Sequence, residues 1–200
     1  MPDPQSDLQV FHESIKDCRK CAMAAGRTQV VCGSGNARAS VMFVGEAPGY
    51  YEDKEGVPFV GAAGQLLERL LQDIGLQRAE VFITNVVKCR PPQNRDPHPE
   101  EVAACQPYLF HQIGLIKPRV ICTLGNFATQ LLLGRKVGIT RVRGQHFQVQ
   151  DYFVFPMLHP AAALHKEHFQ AAVREDFQRL RAFLDQGLQP TPASEQMKLL

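Results

Sequence analysis

Four short apolar runs, Val41–Val44, Val81–Val87, Val120–Leu124 and Tyr152–Leu158, punctuate the chain, and helical patterns fill the intervals. Their β-branched and aromatic content suits strands, and their unbroken apolarity suits strands covered on both faces. Gln65–Ile74 sets Leu66, Leu67, Leu70, Leu71 and Ile74 on one helical face, with Gly75 as a stop. Pro99, followed by Glu100 and Glu101, opens a helix to about Leu115. Asn126 is placed to cap a short helix ending at Gly134, and a long amphipathic helix spans Lys166–Leu184. Leu188–Leu200, with Pro190 and Pro192, reads as a loose tail. Strand–helix alternation of this kind predicts an α/β domain with a parallel sheet between helical layers. In such sheets ligands bind beyond the carboxyl ends of the strands. The segments leaving those ends are Gly45–Gly49, Asn85–Arg95, Gly125–Thr129 and His159–His165.

Composition narrows the class. Two hundred residues, 44% hydrophobic, bury a core as one domain, taken as residues 1–187 ahead of the tail. Disorder, collagen and coiled coil are excluded. No apolar run approaches the roughly 18 residues of a membrane span, and the polar, acidic N-terminus is not a signal peptide. A cytoplasmic monomer with no membrane partner is the default expectation.

The net charge is +2, small for a protein that binds nucleic acid, but it is unevenly spread. Residues 1–100 carry 11 basic and 13 acidic side chains, and residues 101–200 carry 11 and 7. No Asp or Glu occurs from Val102 to Gln150, where Lys117, Arg119, Arg135, Lys136, Arg141 and Arg143 sit. Such a one-sign field suits a polyanion, although a chance gap on solvated faces gives the same pattern.

Six cysteines are many for a reducing compartment and point to metal or redox chemistry. Cys18 and Cys21 form a C-x-x-C, while Cys89 follows a strand and Cys105 lies in the next helix. Four converging thiolates hold either zinc or an iron–sulfur cluster, and spacing alone does not separate the two. Cys32 and Cys122 have no partner nearby and read as small buried hydrophobes.

The strand ends carry the unusual residues. The first ends in Gly45-Glu46-Ala47-Pro48-Gly49, a glycine-flanked turn that lets backbone N–H groups approach a ligand. The second runs from Thr84 and Asn85 into the Pro-rich basic loop Arg90–Arg95, and the fourth into His159-Pro160-Ala161-Ala162-Ala163-Leu164-His165. Together, GEAPGYYED, VPFVGAAGQLL, TNVVKCRPPQNR, the LGN turn at Leu124–Asn126 and HPAAALH, with four cysteines interleaved, resemble the family 4 uracil-DNA glycosylases over roughly residues 8–185. No motif alone is specific, but the ordered set is.

The resemblance implies an α/β/α sandwich around a four-stranded parallel sheet. It implies hydrolysis of the N-glycosidic bond of uracil in DNA, as in base excision repair. It assigns Cys18, Cys21, Cys89 and Cys105 to a 4Fe-4S cluster of structural role. A glycosylase must turn its nucleotide out of the duplex into a pocket. Phe59 matches the position that stacks on the flipped base, and Asn85 the base reader, whose amide accepts from N3–H and donates to O4. Glu52 matches the position expected to crowd C5, and Gly45 and Ala47 line the base. His159 is the expected donor to O2 as negative charge develops there. Ala47 stands where the related family 1 pattern has a water-orienting Asp, so Glu46, or ordered water alone, is left for that task.

On the DNA side, Ala161–His165 is the loop expected to press into the duplex, with Leu164 as apolar wedge. His165 stands where the family more often has Arg. Gly125 and Asn126 offer backbone N–H groups to a phosphate, and Arg90, Arg95 and Lys166 add charge. Two rivals follow from the same residues: a non-catalytic metal-bearing DNA-binding module, and a DNA-crosslinking relative. The latter carries a basic, His-containing insertion after its strand-end Asn and Gln in place of Ala47, and neither is present.

Overall fold

A computed structural model describes residues 3–165 and 168–187. Helix α1 (Pro4–Ile15) and a 3-10 turn at Ala22–Ala25 precede β1 (Ser34–Gly35) and β2 (Val41–Gly45). Then come α2 (Tyr50–Glu55), α3 (Ala62–Asp73), β3 (Phe82–Asn85), a 3-10 turn at Pro92–Asn94 and α4 (Pro99–Ile116). The second half runs β4 (Val120–Leu124), α5 (Asn126–Leu133), α6 (Ile139–Val142), β5 (Phe147–Val149), β6 (Tyr152–Met157), α7 (Pro160–His165) and α8 (His168–Asp185).

The sheet has six strands in the order β1-β3-β2-β4-β6-β5. The expected four-stranded parallel sheet is corrected to a mixed one. Strands β3, β2, β4 and β6 run parallel, and β1 and β5 pair antiparallel at the two edges. Both edge strands are two or three residues long, too short to leave a hydrophobic period.

The period of two along the strands divides the core. Met42, Val44, Phe82, Ile121 and Val154 join Leu8 of α1, Leu109 and Ile113 of α4, and Leu132 of α5 on one face. Val41, Phe43, Ile83, Cys122 and Phe155 meet Leu67, Leu70 and Leu71 of α3 and Val173, Phe177 and Leu180 of α8 on the other. Each such side chain taken from water contributes about 1.5–3 kcal/mol, so both faces must be covered. Cys122 lies in this core as expected, but Cys32 is only half-buried, its Sγ 3.9 Å from the His12 carbonyl oxygen.

Several boundaries moved. Strand β3 ends at Asn85, yet the N–H groups of Val86 and Val87 reach the carbonyls of Gly45 and Glu46 at 2.9 and 3.1 Å, prolonging the pairing into the next loop. Helix α3 starts three residues before the expected Gln65 because Gly64 passes close under Phe59. Asn126 does not cap α5. Gly125 takes the N-cap with φ 92°, and the Asn126 Oδ1 instead accepts the Ile139 N–H at 2.8 Å. The HPAAALH segment is helical from Pro160, a residue suited to the first helical turn. The expected tail, Leu188–Leu200, lies outside the described residues. Among the described residues no helix is long and apolar enough to cross a membrane.

Candidate active site

The carboxyl ends of β2, β3 and β6 surround a cavity of about 470 Å³ that brings Glu46, Ala47, Glu52, Phe59, Asn85 and His159 together. Its base is set by strand register. Gly45 pairs with Asn85 across β2 and β3. A Cβ on Gly45 would collide with the Asn85 Oδ1 and stand 2.7 Å from the Phe59 ring, so the glycine is required by close approach. Asn85 is 1% exposed, and its Oδ1 has no hydrogen-bond partner. An unpaired buried acceptor costs about 1–3 kcal/mol, a penalty a bound N–H donor removes.

Phe59 is buried on a left-handed backbone, φ 54°. Such a conformation persists only where neighbours impose it. Arg78 imposes it by donating to the carbonyls of Pro58 and Phe59, the latter at 3.1 Å. Gly64 permits it, since a Cβ there would strike the Phe59 carbonyl. Glu52 completes the hold, its Oε1 accepting the N–H groups of Val60 and Gly61 at 3.1 and 3.2 Å. The ring ends stacked against His159, centroids 5.6 Å apart at 28°.

The His159 ring is fixed in one tautomer. Its Nδ1 faces the Ala161 N–H at 3.1 Å and must accept, which leaves the proton on Nε2. Burial pulls its pKa down to about 4, with Glu52 opposing. The residue is therefore a neutral donor across the physiological range. Asp176 of α8 holds the approach to it, its Oδ2 accepting the Leu158 N–H at 2.8 Å while Arg143 pairs with Oδ1 at 2.9 Å. Glu46 is shifted the other way: burial, with Asp96 adding, raises its carboxyl to about 7. A group poised near neutrality is suited to exchanging a proton with water.

Cys18, Cys21, Cys89 and Cys105 line a second cavity with Lys20, Arg27 and Tyr108, and none forms a disulfide. Three of the sulfurs already meet donors. Tyr108 Oη lies 3.2 Å from Cys18 Sγ, Arg27 Nη1 3.6 Å from Cys89 Sγ, and the Lys88 N–H 3.2 Å from Cys105 Sγ. Burial pushes the Cys89 thiol up to about 12 and raises Cys105 as well. Among the described residues no group of three or more His, Cys, Asp or Glu side chains is arranged to hold a single metal ion.

The residues expected on the DNA side divide. Leu164 stands 43% exposed on α7. Ala161 lines the cavity and spends its N–H on His159. Arg90 lies over the exposed Tyr50 ring at 5.0 Å and donates to Asn94 Oδ1 at 2.7 Å. Arg95 reaches the cavity wall but is clamped by Glu101 through two bonds of 2.7 and 2.8 Å. The Gly125 N–H is spent on the Met157 carbonyl, so only the following amides of α5 face outward. Lys166 and the His165 side chain lie outside the described residues. Not all of the acid-free stretch gathers at this end. The Arg119 backbone N–H donates to the Ser40 carbonyl at the amino ends of β2 and β4, with Lys117 two residues before it, and the Arg143 guanidinium is paired to Glu175 and Asp176.

Arg78, Gly64 and Asp176 hold the site's residues, and none of them stands out in the sequence. Arg78 and Asp176 act on backbone carbonyls or amides, contacts that leave no motif. Gly64, inside VPFVGAAGQLL, was the one with a local signal, a glycine at the start of an apolar helix.

Comparison with known proteins agrees with the geometry. A family model described as the uracil DNA glycosylase superfamily matches residues 32–181. The chain is 48% identical over 184 residues to a type-4 uracil-DNA glycosylase of Sulfurisphaera tokodaii, covering 87% of this chain and 83% of the relative. It is 48% identical over 191 residues to the type-4 protein of Pyrobaculum aerophilum, covering 91% and 95%. A type-5 uracil-DNA glycosylase of Thermus thermophilus is 31% identical over 159 residues, covering 64% and 72%.

Proposed function

The chain belongs to the uracil-DNA glycosylase superfamily, in its type-4 branch, and from that premise we propose how its residues excise uracil. It is a DNA glycosylase, a hydrolase that removes uracil from DNA and leaves an abasic site. Residues 1–187 form the one domain that does so, and uracil-containing DNA is the partner. We place it in the cytoplasm as a monomer.

One observation carries the assignment of the pocket: Asn85, which lines the cavity with Phe59 and His159, has a buried Oδ1 without a hydrogen-bond partner. Uracil supplies the missing donor in N3–H. Cytosine presents an acceptor at N3 and leaves Asn85 unpaired, so discrimination is of the kind in which a hydrogen-bonding site rejects the analogue that leaves it unsatisfied. Phe59 stacks on the flipped base, and Gly45 and Ala47 leave room for it. Glu52, immobilised by Val60 and Gly61, is the wall that the methyl of thymine meets.

In the reaction the C1′–N1 bond breaks and its electron pair leaves with uracil, spreading toward O2. His159, neutral with its proton on Nε2, donates to that oxygen, a contribution typically of about 10²–10³ in rate. Water adds hydroxide to C1′, and Glu46 accepts its proton. Leu164 fills the space vacated in the duplex. Arg90, the outward amides from Asn126 onward and Lys166 meet phosphates, whereas Arg95 does so only by leaving Glu101.

Cys18, Cys21, Cys89 and Cys105 fit a 4Fe-4S cluster: four thiols line one cavity, and three of them have a donor at sulfur. When bound, such a cluster supplies a covalent crosslink between the segment after α1, the loop after β3 and helix α4, away from the reacting bond. The deciding experiment incubates cluster-loaded protein with an oligonucleotide bearing one uracil and then cleaves abasic sites with alkali. Strand cleavage at the uracil is expected, and its absence overturns the reading.

A further inference from the structure

Lys88 lies three residues beyond Asn85 and is 1% exposed, yet it carries a charged head. A buried ammonium is tolerated only when its donors are met. Here all three are. Nζ donates to Thr84 Oγ1 at 2.6 Å, to the Asn85 carbonyl oxygen at 2.7 Å and to Gln112 Oε1 at 2.7 Å. Three acceptors for three N–H bonds describe the protonated head, since a neutral amine has only two donors.

The acceptors are themselves tied down. Thr84 Oγ1 gives its proton to the Cys32 carbonyl at 2.8 Å, and Gln112 Nε2 reaches the same carbonyl at 2.7 Å and His12 Nε2 at 2.9 Å. The orientation of the Gln112 amide thus follows from its neighbours, with oxygen toward Lys88 and nitrogen toward Cys32. No Asp or Glu among the described residues forms an ion pair with Lys88. A buried cation held only by neutral oxygens is costly unless its geometry is needed. Its other end shows the need. The Lys88 peptide N–H donates to Cys105 Sγ at 3.2 Å, and Cys89 is the next residue.

We propose that Lys88 is a positioning residue for uracil recognition: its side chain grips the backbone of Asn85 from beneath while its own backbone is fixed to the thiol site. The segment 85–88 becomes a stiff tie with the base reader at one end and Cys105 at the other. The Asn85 Oδ1 accepts no hydrogen bond that would orient the side chain. Its aim therefore depends on where its backbone is held, and an error of about 1 Å at such a site is enough to cost a large factor in rate.

This inference rests on the glycosylase reading, and the test separates the two. The probes are a duplex oligonucleotide with one uracil, and free uracil as a competitive inhibitor, used on full-length protein with rates expressed per iron-loaded molecule. Wild-type protein that releases no uracil overturns the glycosylase reading and this inference with it. With wild type active, Lys88→Met is expected to lower the single-turnover rate and weaken inhibition by uracil, each by about 10- to 100-fold, while KM for the oligonucleotide stays within about twofold. A purely structural lysine lowers the loaded fraction and the melting temperature but leaves both per-molecule quantities unchanged, and that outcome overturns the proposal. If Lys88→Met does not fold or load, Thr84→Val and Gln112→Met decide, since each removes one acceptor and keeps the charge. Weaker inhibition by uracil in both, by about three- to tenfold, supports the proposal, and wild-type inhibition in both defeats it.

Discussion

The cavity around Asn85 and the cavity around the four cysteines lie four residues apart along one segment, and they treat their polar atoms in opposite ways. In the first, the Asn85 Oδ1 is buried without a partner. In the second, three of the four sulfurs already meet a donor from the surrounding chain. An open acceptor stores an unfavourable term that a ligand relieves, so it belongs to recognition and rate. Satisfied sulfurs lower the energy of the fold itself, so they belong to stability. The same stretch of backbone therefore separates a part of the molecule that turns over substrate from a part that holds shape.

That division is exposed to direct tests. The largest effect is expected from Asn85→Ala, which should reduce excision by about 10³-fold or more while leaving the melting temperature equal or slightly raised, because a buried unpaired acceptor disappears. A large loss of thermal stability there would merge the two regions. His159→Ala should cost about 10²–10³ in single-turnover rate. Because burial keeps this ring neutral down to about pH 4, its removal should leave the shape of the pH–rate curve above pH 5 unchanged. Cys89→Ser should invert the pattern, losing iron absorbance and several degrees of melting temperature, with excision per folded molecule reduced by less than about tenfold. Arg78→Ala should fall between, lowering the rate about tenfold, since Phe59 then relaxes from its left-handed backbone. The smallest signal is a pH effect. Glu46 titrates near 7, above its unfolded value, so it is protonated below that pH and able to take a proton above it. Excision should rise through pH 7 in wild type, and Glu46→Gln should flatten that limb, as measured by single-turnover rates from pH 5.5 to 8.5.

Much of this was legible in the chain because it rests on local patterns. The four parallel strands are legible as β-branched runs, and topology points to the segments at their carboxyl ends, whereas the particular roles of Glu46, Asn85 and His159 are legible only through the resemblance to the glycosylases. The short antiparallel edges were not legible, since two or three residues carry no period. Helix α7 is not legible as a helix because HPAAALH offers no amphipathic face, although Pro160 marks its start. The charge count of the acid-free stretch does not by itself locate those charges. A count along the sequence cannot know that Arg119 sits at the amino end of β4 and that Arg143 answers to Asp176. Lys88 was hidden for a related reason, since a lysine is normally read as solvent-exposed and its three acceptors come from Thr84, Asn85 and Gln112. Asn126 shows the limit of reading a cap from residue type alone, because a glycine beside it took the strained position and freed the amide for Ile139.

The order of these parts along the chain bears on how the molecule is made. All four thiols are in place once residue 105 has been synthesised, whereas the pocket lacks His159 and α7 until more than fifty further residues have followed. Strands β2 and β3 and helices α1 to α4 are also complete by about residue 116. A nascent chain therefore carries Cys18, Cys21, Cys89 and Cys105, next to a half-built sheet, well before it has an intact pocket, so the amino-terminal half reaches its full set of strands β2 and β3 and helices α1 to α4 before the segment that closes the pocket exists.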